Sequence, residues 1–477
     1  MQSWLRILPM VIALVLGACA VTTPDPSPPA PPATAWQAPL PHDGNPVELA
    51  RWWQRFEDPV LAALVDSAQR DNPGLAVSLA RIGQARATAR VAGASRLPTL
   101  DANGQLIRSS TPEPPTVATT IGAVSLDALW ELDLFGANRR TREAAVARLE
   151  ARTAQWHDAR ISLAADVATA YSSLRGCEAL LQIYRQDLAS QRVVLDLTRR
   201  KVRSGFSAPA DAALITAAEA ESGNRARAQQ GQCDLLVKSL VTLTAQPEHL
   251  LRRELAVGTG RLPQPALLAV TQVPAAVLSQ RPDLAALERE LVAASNEVGV
   301  AEADRYPRIR LTGSIGYAAF RAVGLTGTGA TWSFGPALSL PLFDAGRRAA
   351  LVDQSSGRFE ELVASYRQRA ALAVQEVEEA LVRLDTATAR LADAERAAEG
   401  FQVYLKAARS RFETGAGTAF EQEDARRSSL NAAAALLQVR SERVAAWISL
   451  YKALGGGWEP LVPTAGPEPE IKRKRKS

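Results

Sequence analysis

The chain has 477 residues, of which 47% are hydrophobic but only 5% aromatic, and 22% carry charge. Its 55 basic residues exceed its 50 acidic ones by an excess that the run Lys472, Arg473, Lys474, Arg475, Lys476 accounts for, so the body is near neutral, which argues against nucleic-acid binding, and that end reads as a solvated tail. Abundant Ala, Arg, Leu, Gln and Glu with few aromatics point to long helices packed through small side chains. His42, His157 and His249 show no metal-ligand spacing, and no catalytic constellation, phosphate loop or dinucleotide motif is present; neither an enzyme nor a cofactor is expected.

At the N-terminus, Arg6 precedes an apolar run, Ile7 to Leu16. At about ten residues it is half the length a membrane-spanning helix needs, so it predicts a signal segment. It ends in Leu16-Gly17-Ala18-Cys19, which resembles the bacterial lipobox. The resemblance implies a signal peptide over 1–18, cleavage before Cys19 and acylation of Cys19, palmitate included. Ala20, where inner-membrane retention signals typically place Asp, favours the outer membrane. The alternative is an ordinary signal peptide with a chance cysteine. A proline-rich linker follows within 19–44, with eight prolines between Thr22 and Pro41; such a segment stays extended and predicts a semi-rigid tether that lets the anchor sit away from the folded body.

The remainder is a tandem repeat. Pro73 and Pro282, Leu75 and Leu284, Arg96 and Arg305, Pro98 and Pro307, and Gly104 and Gly313 share one offset; Arg139-Arg140 against Arg347-Arg348 and Gly205 against Gly415 follow within one residue of it. The repeats are assigned to 45–250 and 282–458, separated by 251–281 and followed by the basic tail 459–477.

In each repeat the pattern predicts a helix of about 25 residues ending at Leu97-Pro98 or Tyr306-Pro307, then two strands. Leu100, Ala102, Gly104 and Leu106 alternate with Asp101, Asn103 and Gln105; Val124, Leu126, Ala128, Trp130, Leu132 and Leu134 alternate with Ser125, Asp127, Glu131 and Asp133. The second repeat gives Ile309, Leu311, Ile315 and Tyr317, then Trp332, Phe334, Leu338, Leu340 and Leu342. This is period-two patterning, compatible by itself with a soluble sheet wet on one face.

A proline-free stretch follows each strand pair, from Ala137 to Arg203 and from Arg347 to Thr414; each predicts one helix of about 100 Å, a length that belongs to coiled-coil-like assemblies. Gly205 and Gly415 suit the left-handed position after each helix. Ser207 is expected to cap the next helix, and Thr418-x-x-Glu421 forms a capping box. Cys177 and Cys233 stand equally far from Gly205 on the two arms of the first hairpin, which brings them to one level and suggests a disulfide in an exported chain, two buried free thiols being the alternative.

Four membrane-length amphipathic strands cannot close a barrel alone, and open edges are not tolerated in lipid. The strands must be shared between copies, and a conducting lumen needs more than the eight strands that two copies supply. With these residues on the page, the chain resembles the outer membrane factor family, the TolC-like, lipidated efflux channels of the NodT or OprM type. The resemblance rests on the lipobox, the linker, the helix–strand–strand–helix–helix repeat, the turn Gly205 to Asp211 and the paired Leu-Phe-Gly and Leu-Phe-Asp-Ala-Gly strand exits, and it covers 45–458.

The implied fold is an α+β membrane protein, a homotrimer whose twelve-stranded β-barrel in outer-membrane lipid is continued by a long α-helical barrel. The implied function is the passive outer-membrane channel of a tripartite efflux system, with a periplasmic adaptor (membrane fusion protein) and an inner-membrane RND-type pump as partners. A type I secretion conduit or a non-conducting, lipid-anchored coiled-coil scaffold are the alternatives. Gly205, Phe206, Ser207, Gly415, Thr418 and Phe420 are assigned to the periplasmic tip and adaptor contact; simple hairpin packing is the other reading of the two phenylalanines. The second tip, Gly415-Ala416-Gly417-Thr418, lacks the acid that relatives often place after the turn glycine. Glu413 and Glu421 are the nearest candidates for aperture acids, against surface-charge and cap-partner readings.

Overall fold

The computed structural model describes residues 58–111, 117–264, 280–322 and 325–458, with 21, 23–29, 37, 52, 53 and 56. Cys19, the signal segment, the basic tail and part of the inter-repeat segment lie outside the described residues. The order is α1 (Pro59–Asp71), α2 (Pro73–Ala94), β1 (Thr99–Thr111), β2 (Val117–Leu132), α3 (Ala137–Arg203), α4 (Pro209–Thr244), α5 (Glu248–Leu255), α6 (Pro282–Ala303), β3 (Arg308–Ala322), β4 (Leu325–Ser339), α7 (Arg347–Glu413) and α8 (Ala419–Ala453). The repeat is kept: α2 and α6 each have 22 residues, and α3 and α7 each have 67.

Helices α2 and α6 stop at Ala94 and Ala303, earlier than the prolines alone suggest. The residues between are spent in hydrogen-bonded turns, Leu97 N–H on Ala94 O and Tyr306 N–H on Ala303 O, both near 3.0 Å. A tight turn before Pro98 or Pro307 lets the residue next to proline become extended, as its sterics require. The strands likewise end at Leu132 and Ser339, short of Leu134 and Leu342.

The described residues form two compact units, one holding 80–154 and 286–367 with the described part of 1–30, the other holding 155–285 and 368–458 with the described part of 31–79. In the first, the strands make one antiparallel sheet in the order β1-β2-β3-β4. Small residues Ala144, Ala147 and Ala293 bring α3 and α6 close. At the strand exits Phe135 stacks on Tyr306, centroids 4.8 Å apart. Asp133 accepts from the N–H groups of Asn138 and Arg139 at 3.0 and 2.7 Å, which caps the start of α3. The linker meets this unit at Val21 and Pro24 rather than standing free of it there: Arg140 Nη2 donates to Val21 O at 3.0 Å and Ser295 Oγ to Pro24 O at 2.6 Å.

The second unit has an aromatic centre. Trp52 stacks on Tyr451 at 5.1 Å and meets Phe56 edge-on at 4.5 Å. Asp58 caps α1 by accepting from Val60 and Leu61, and also accepts from Tyr171 Oη at 2.7 Å. Fully buried Arg175 lies 4.7 Å over the Tyr171 ring and donates to Glu178 and to the carbonyls of Leu255 and Val257, so α5 and the turn after it are held to α3. Cys177 and Cys233 form a disulfide, Cα atoms 5.6 Å apart, that ties α3 to α4.

Candidate functional site

The sheet register separates two faces. Leu100, Leu106, Val124, Leu126, Trp130, Ile315, Tyr317, Trp332, Phe334 and Leu338 fall on one, and they are exposed, Trp332 to 81%. The other carries a row in which Asp101 faces Asp127, Asp127 faces Ser314 and Ser314 faces Ser333. Two aspartates side by side repel. Asp127 is relieved by three donors, Asn103 Nδ2 at 2.7 Å, Ser125 Oγ at 2.9 Å and Ser314 Oγ at 2.5 Å. Nearby, Arg310 Nε donates to Glu131 at 2.9 Å. The same face also holds an apolar row, Ile107, Ile121 and Phe320, which the alternation in sequence does not reveal because these residues sit at polar positions of the pattern.

In the second unit the long helices α3 and α7 end alike. Gly205 and Gly415 have φ of +75° and +81°. Phe206 N–H donates to Lys201 O at 2.8 Å and Gly205 N–H to Val202 O at 3.1 Å; Ala416 to Arg411 and Gly415 to Phe412 repeat the pair at 2.9 and 3.2 Å. Both are Schellman turns, which use the last carbonyls of the helix and need a left-handed residue.

The entries to the following helices differ. Thr418 Oγ1 accepts from Glu421 N–H at 3.1 Å while Glu421 Oε2 accepts from Thr418 N–H at 3.2 Å, a complete capping box. Ser207 does not cap α4: the cap position falls on Ala208, whose N–H donates to Asp211 Oδ2 at 3.2 Å. Pro209 is the cause. It lacks an N–H and suits the first helical position, and it holds the residue before it extended, ψ 148° at Ala208, so the boundary moves one residue on. Glu421 is therefore engaged as a cap partner, and Glu413 is paired with Arg409 at 2.9 Å on an exposed surface. Phe206 and Phe420 project into solvent, 83% and 71% exposed.

Two further features join the hairpins, and sequence reasoning passes over both. Lys201 Nζ donates to Phe412 O at 2.7 Å and lies 4.1 Å over that ring. Deeper, Arg426 donates to Asp187 Oδ1 and Glu423 Oε1, each at 2.5 Å, and Gln191 Nε2 to Glu423 Oε2 at 2.9 Å. Burial works against the Glu423 charge, yet the Arg426 guanidinium beside it, with Gln191 and Arg427, holds its carboxyl below the usual value; burial likewise opposes the Arg426 charge, and its two carboxylates raise it. The Glu423-x-x-Arg426 spacing is visible in sequence, but its partners lie 232 and 239 residues away.

The outer membrane efflux protein family matches over residues 64–244 and 273–456. Outer membrane protein OprJ of Pseudomonas aeruginosa is 31% identical over 94% of this chain and 95% of its own length. The toluene efflux pump outer membrane protein TtgI of Pseudomonas putida is 30% identical over 94% and 98%. The crystal structure of the open state of the Neisseria gonorrhoeae MtrE outer membrane channel is similar at a TM-score of 0.77 and 27% identity, over 92% of this chain and 99% of that one. A helical chain with one two-faced sheet, matched along most of its length at these levels, belongs to the outer membrane efflux protein family.

Proposed function

We propose that the chain is the outer-membrane channel of a tripartite efflux system, passively conducting compounds that an inner-membrane RND-type pump and a periplasmic adaptor deliver. The observation that carries this is the sheet: four strands of 13 to 16 residues, one face apolar and the other carrying the polar row of Asp127 besides the apolar row of Ile107, Ile121 and Phe320, with β1 and β4 left as edges. Three copies joined edge to edge make twelve strands, with the Asp127 face inward and the Trp332 face to lipid. A signal peptide over 1–18, an acylated Cys19 at the head of the linker, two repeats over 45–250 and 282–458 and a basic tail complete the reading.

The tips, Gly205 to Asp211 and Gly415 to Glu421, are proposed to meet the adaptor. Exposed Phe206 and Phe420 on polar turns support this. Of the two acids, Glu421 is engaged in the cap and Glu413 is paired with Arg409; Glu413, whose partner is an exposed side chain, is the aperture candidate.

Conductance in planar bilayers, with sedimentation in detergent, tests the channel. Three-copy particles with discrete conductance steps are expected; a folded, non-conducting monomer would overturn the reading. Phe206→Ser should leave the trimer folded and abolish export, and a photocrosslinker there should capture the adaptor.

A further inference from the structure

The strands carry seven charged residues, and the register sorts them by face. Asp101, Asp127, Glu131, Arg308 and Arg310 share the face of the Asp127 row, where Arg310 is engaged by Glu131 and Arg308 by Asp304. Arg108 and Arg321 alone fall on the apolar face. They do so in one cross-strand row: Arg108 faces Thr120, Thr120 faces Arg321 and Arg321 faces Thr326. Two ladder spacings put the Arg108 and Arg321 Cα atoms about 10 Å apart. Both side chains are exposed, and among the described residues neither is paired with a carboxylate. Like charges at that separation repel, and an anion seated between them turns the repulsion into attraction.

The height of the row names the kind of anion. Thr120 is twelve residues along β2 from Leu132 at the strand exit, which at a tilt of about 40° is about 30 Å along a barrel axis. The apolar band of an outer-membrane barrel is about 25 Å tall. Outward residues below the row, Leu106, Val124 and Tyr317 among them, are apolar; the arginines stand just past them, at headgroup depth. This is the end of the sheet away from α3 and α7, where β1 ends at Thr111 and β3 at Ala322. An arginine stem there lies along apolar surface while its head reaches phosphate, to which it donates in pairs. A free anion would gain the arginines only, whereas an amphiphile gains the apolar surface below them as well. At the offset the repeats share, Arg108 falls on Tyr317 and Arg321 on Pro112, so the pair is not a product of the duplication.

We propose that Arg108 and Arg321, with Thr120 and Thr326 in the same row, are a docking site for the phosphate groups of an outer-leaflet glycolipid whose acyl chains lie along Leu106, Val124 and Tyr317. The site rests on the reading of the apolar face as lipid-facing and of the strand ends at Thr111 and Ala322 as the outer rim.

The test uses the full chain reconstituted in phosphatidylcholine vesicles, with a fluorescent bis-phosphorylated lipid A as probe and its dephosphorylated form for comparison. The parent should prefer the phosphorylated probe. Arg108→Gln and Arg321→Gln should each weaken binding about ten-fold, the usual contribution of one hydrogen bond to a charged group. Arg108→Lys with Arg321→Lys should lose less than the double Gln variant, since it keeps the charge but not the paired donors. Arg308→Gln, on the other face, should bind as the parent does.

Equal affinity for the two probe forms, full binding by the double Gln variant, or displacement by an equal concentration of inorganic phosphate would each overturn the lipid site. So would a loss in Arg308→Gln with none in the Arg108 and Arg321 variants, which would turn the faces of the sheet around. The Gln variants should keep three-copy sedimentation and the parent's conductance steps. A parent that neither sediments as three copies nor conducts would overturn the channel reading instead.

Discussion

The two helical hairpins descend from one repeat and turn on the same Schellman geometry, yet they are fastened by different physics. Hairpin α3–α4 is closed on itself by the Cys177–Cys233 disulfide and enters α4 through a proline with only a half-satisfied cap. Hairpin α7–α8 has no cysteine. It has a complete capping box, and it is tied to α3 through Arg426 and Glu423 and through Lys201 on Phe412. A covalent clasp ignores pH and salt, whereas a buried ion network depends on every member keeping its charge. The first hairpin is thus clasped covalently, and the second by ion pairs, some between its own arms (Arg390 with Glu442, Arg440 with Glu395) and some to α3.

The largest break in that comparison is expected from Arg426→Ala, which takes the buried counter-charge from Asp187 and Glu423 and leaves them only the more exposed Arg225 at 3.8 Å and Arg427 at 3.0 Å. About 3–5 kcal/mol should be lost, read as faster amide exchange along α8 with α4 less affected. The triple change Arg426→Met, Glu423→Gln, Asp187→Asn should recover much of it, and no recovery would mean that packing, not charge, holds the site.

Acid should act in the same direction. The folded Glu423 carboxyl titrates below its ordinary value, so its contribution is full at neutral pH and is lost as pH falls through that lowered value. Protection of α8 amides, corrected for the intrinsic pH dependence of exchange, should fall at acid pH in the parent and fall less in Glu423→Gln.

Next in size is the clasp. Cys177→Ser with Cys233→Ser opens a closure spanning 56 residues, for which roughly 2–4 kcal/mol is expected. The loss should fall on α3–α4, and a melting curve that matches the parent would remove the disulfide from the comparison. The smallest effect separates the caps: Thr418→Ala should cost about 1 kcal/mol, while Ser207→Ala, which removes no cap, should stay within about 0.5 kcal/mol.

The repeat, the strand pairs and both turn glycines were legible because they depend on local rules: an offset, a period of two, and a left-handed residue after a helix. Leu100 to Leu106 and Trp332 to Leu338 announce their faces by alternation alone. Ser207 reads in sequence as the cap of α4 because its side chain suits that position, but the steric demand of Pro209 moves the cap to Ala208. The Asp187–Arg426–Glu423 network was illegible for another reason: its members lie on helices from different repeats, and no periodicity links them. Gly299 was hidden too, since a glycine in a long helix reads as a weak point until the structure shows Thr23 and Arg140 filling the space of its absent side chain.

The two bare edges of the sheet carry a consequence for the chain before it has partners. In a lone protomer, β1 and β4 each present a row of unsatisfied backbone groups along 13 and 15 residues, beside side chains such as Trp332 and Phe334 suited to lipid. Such edges pair with whatever strand arrives first. On the proposed edge-to-edge assembly of three copies, the newly exported chain faces a race between the correct neighbour and any other, and its odds depend on concentration and on how long it waits. On that proposal, a cell that makes this protein has to shield those edges in transit, or deliver copies to the membrane closely enough in time that the proper strands meet first.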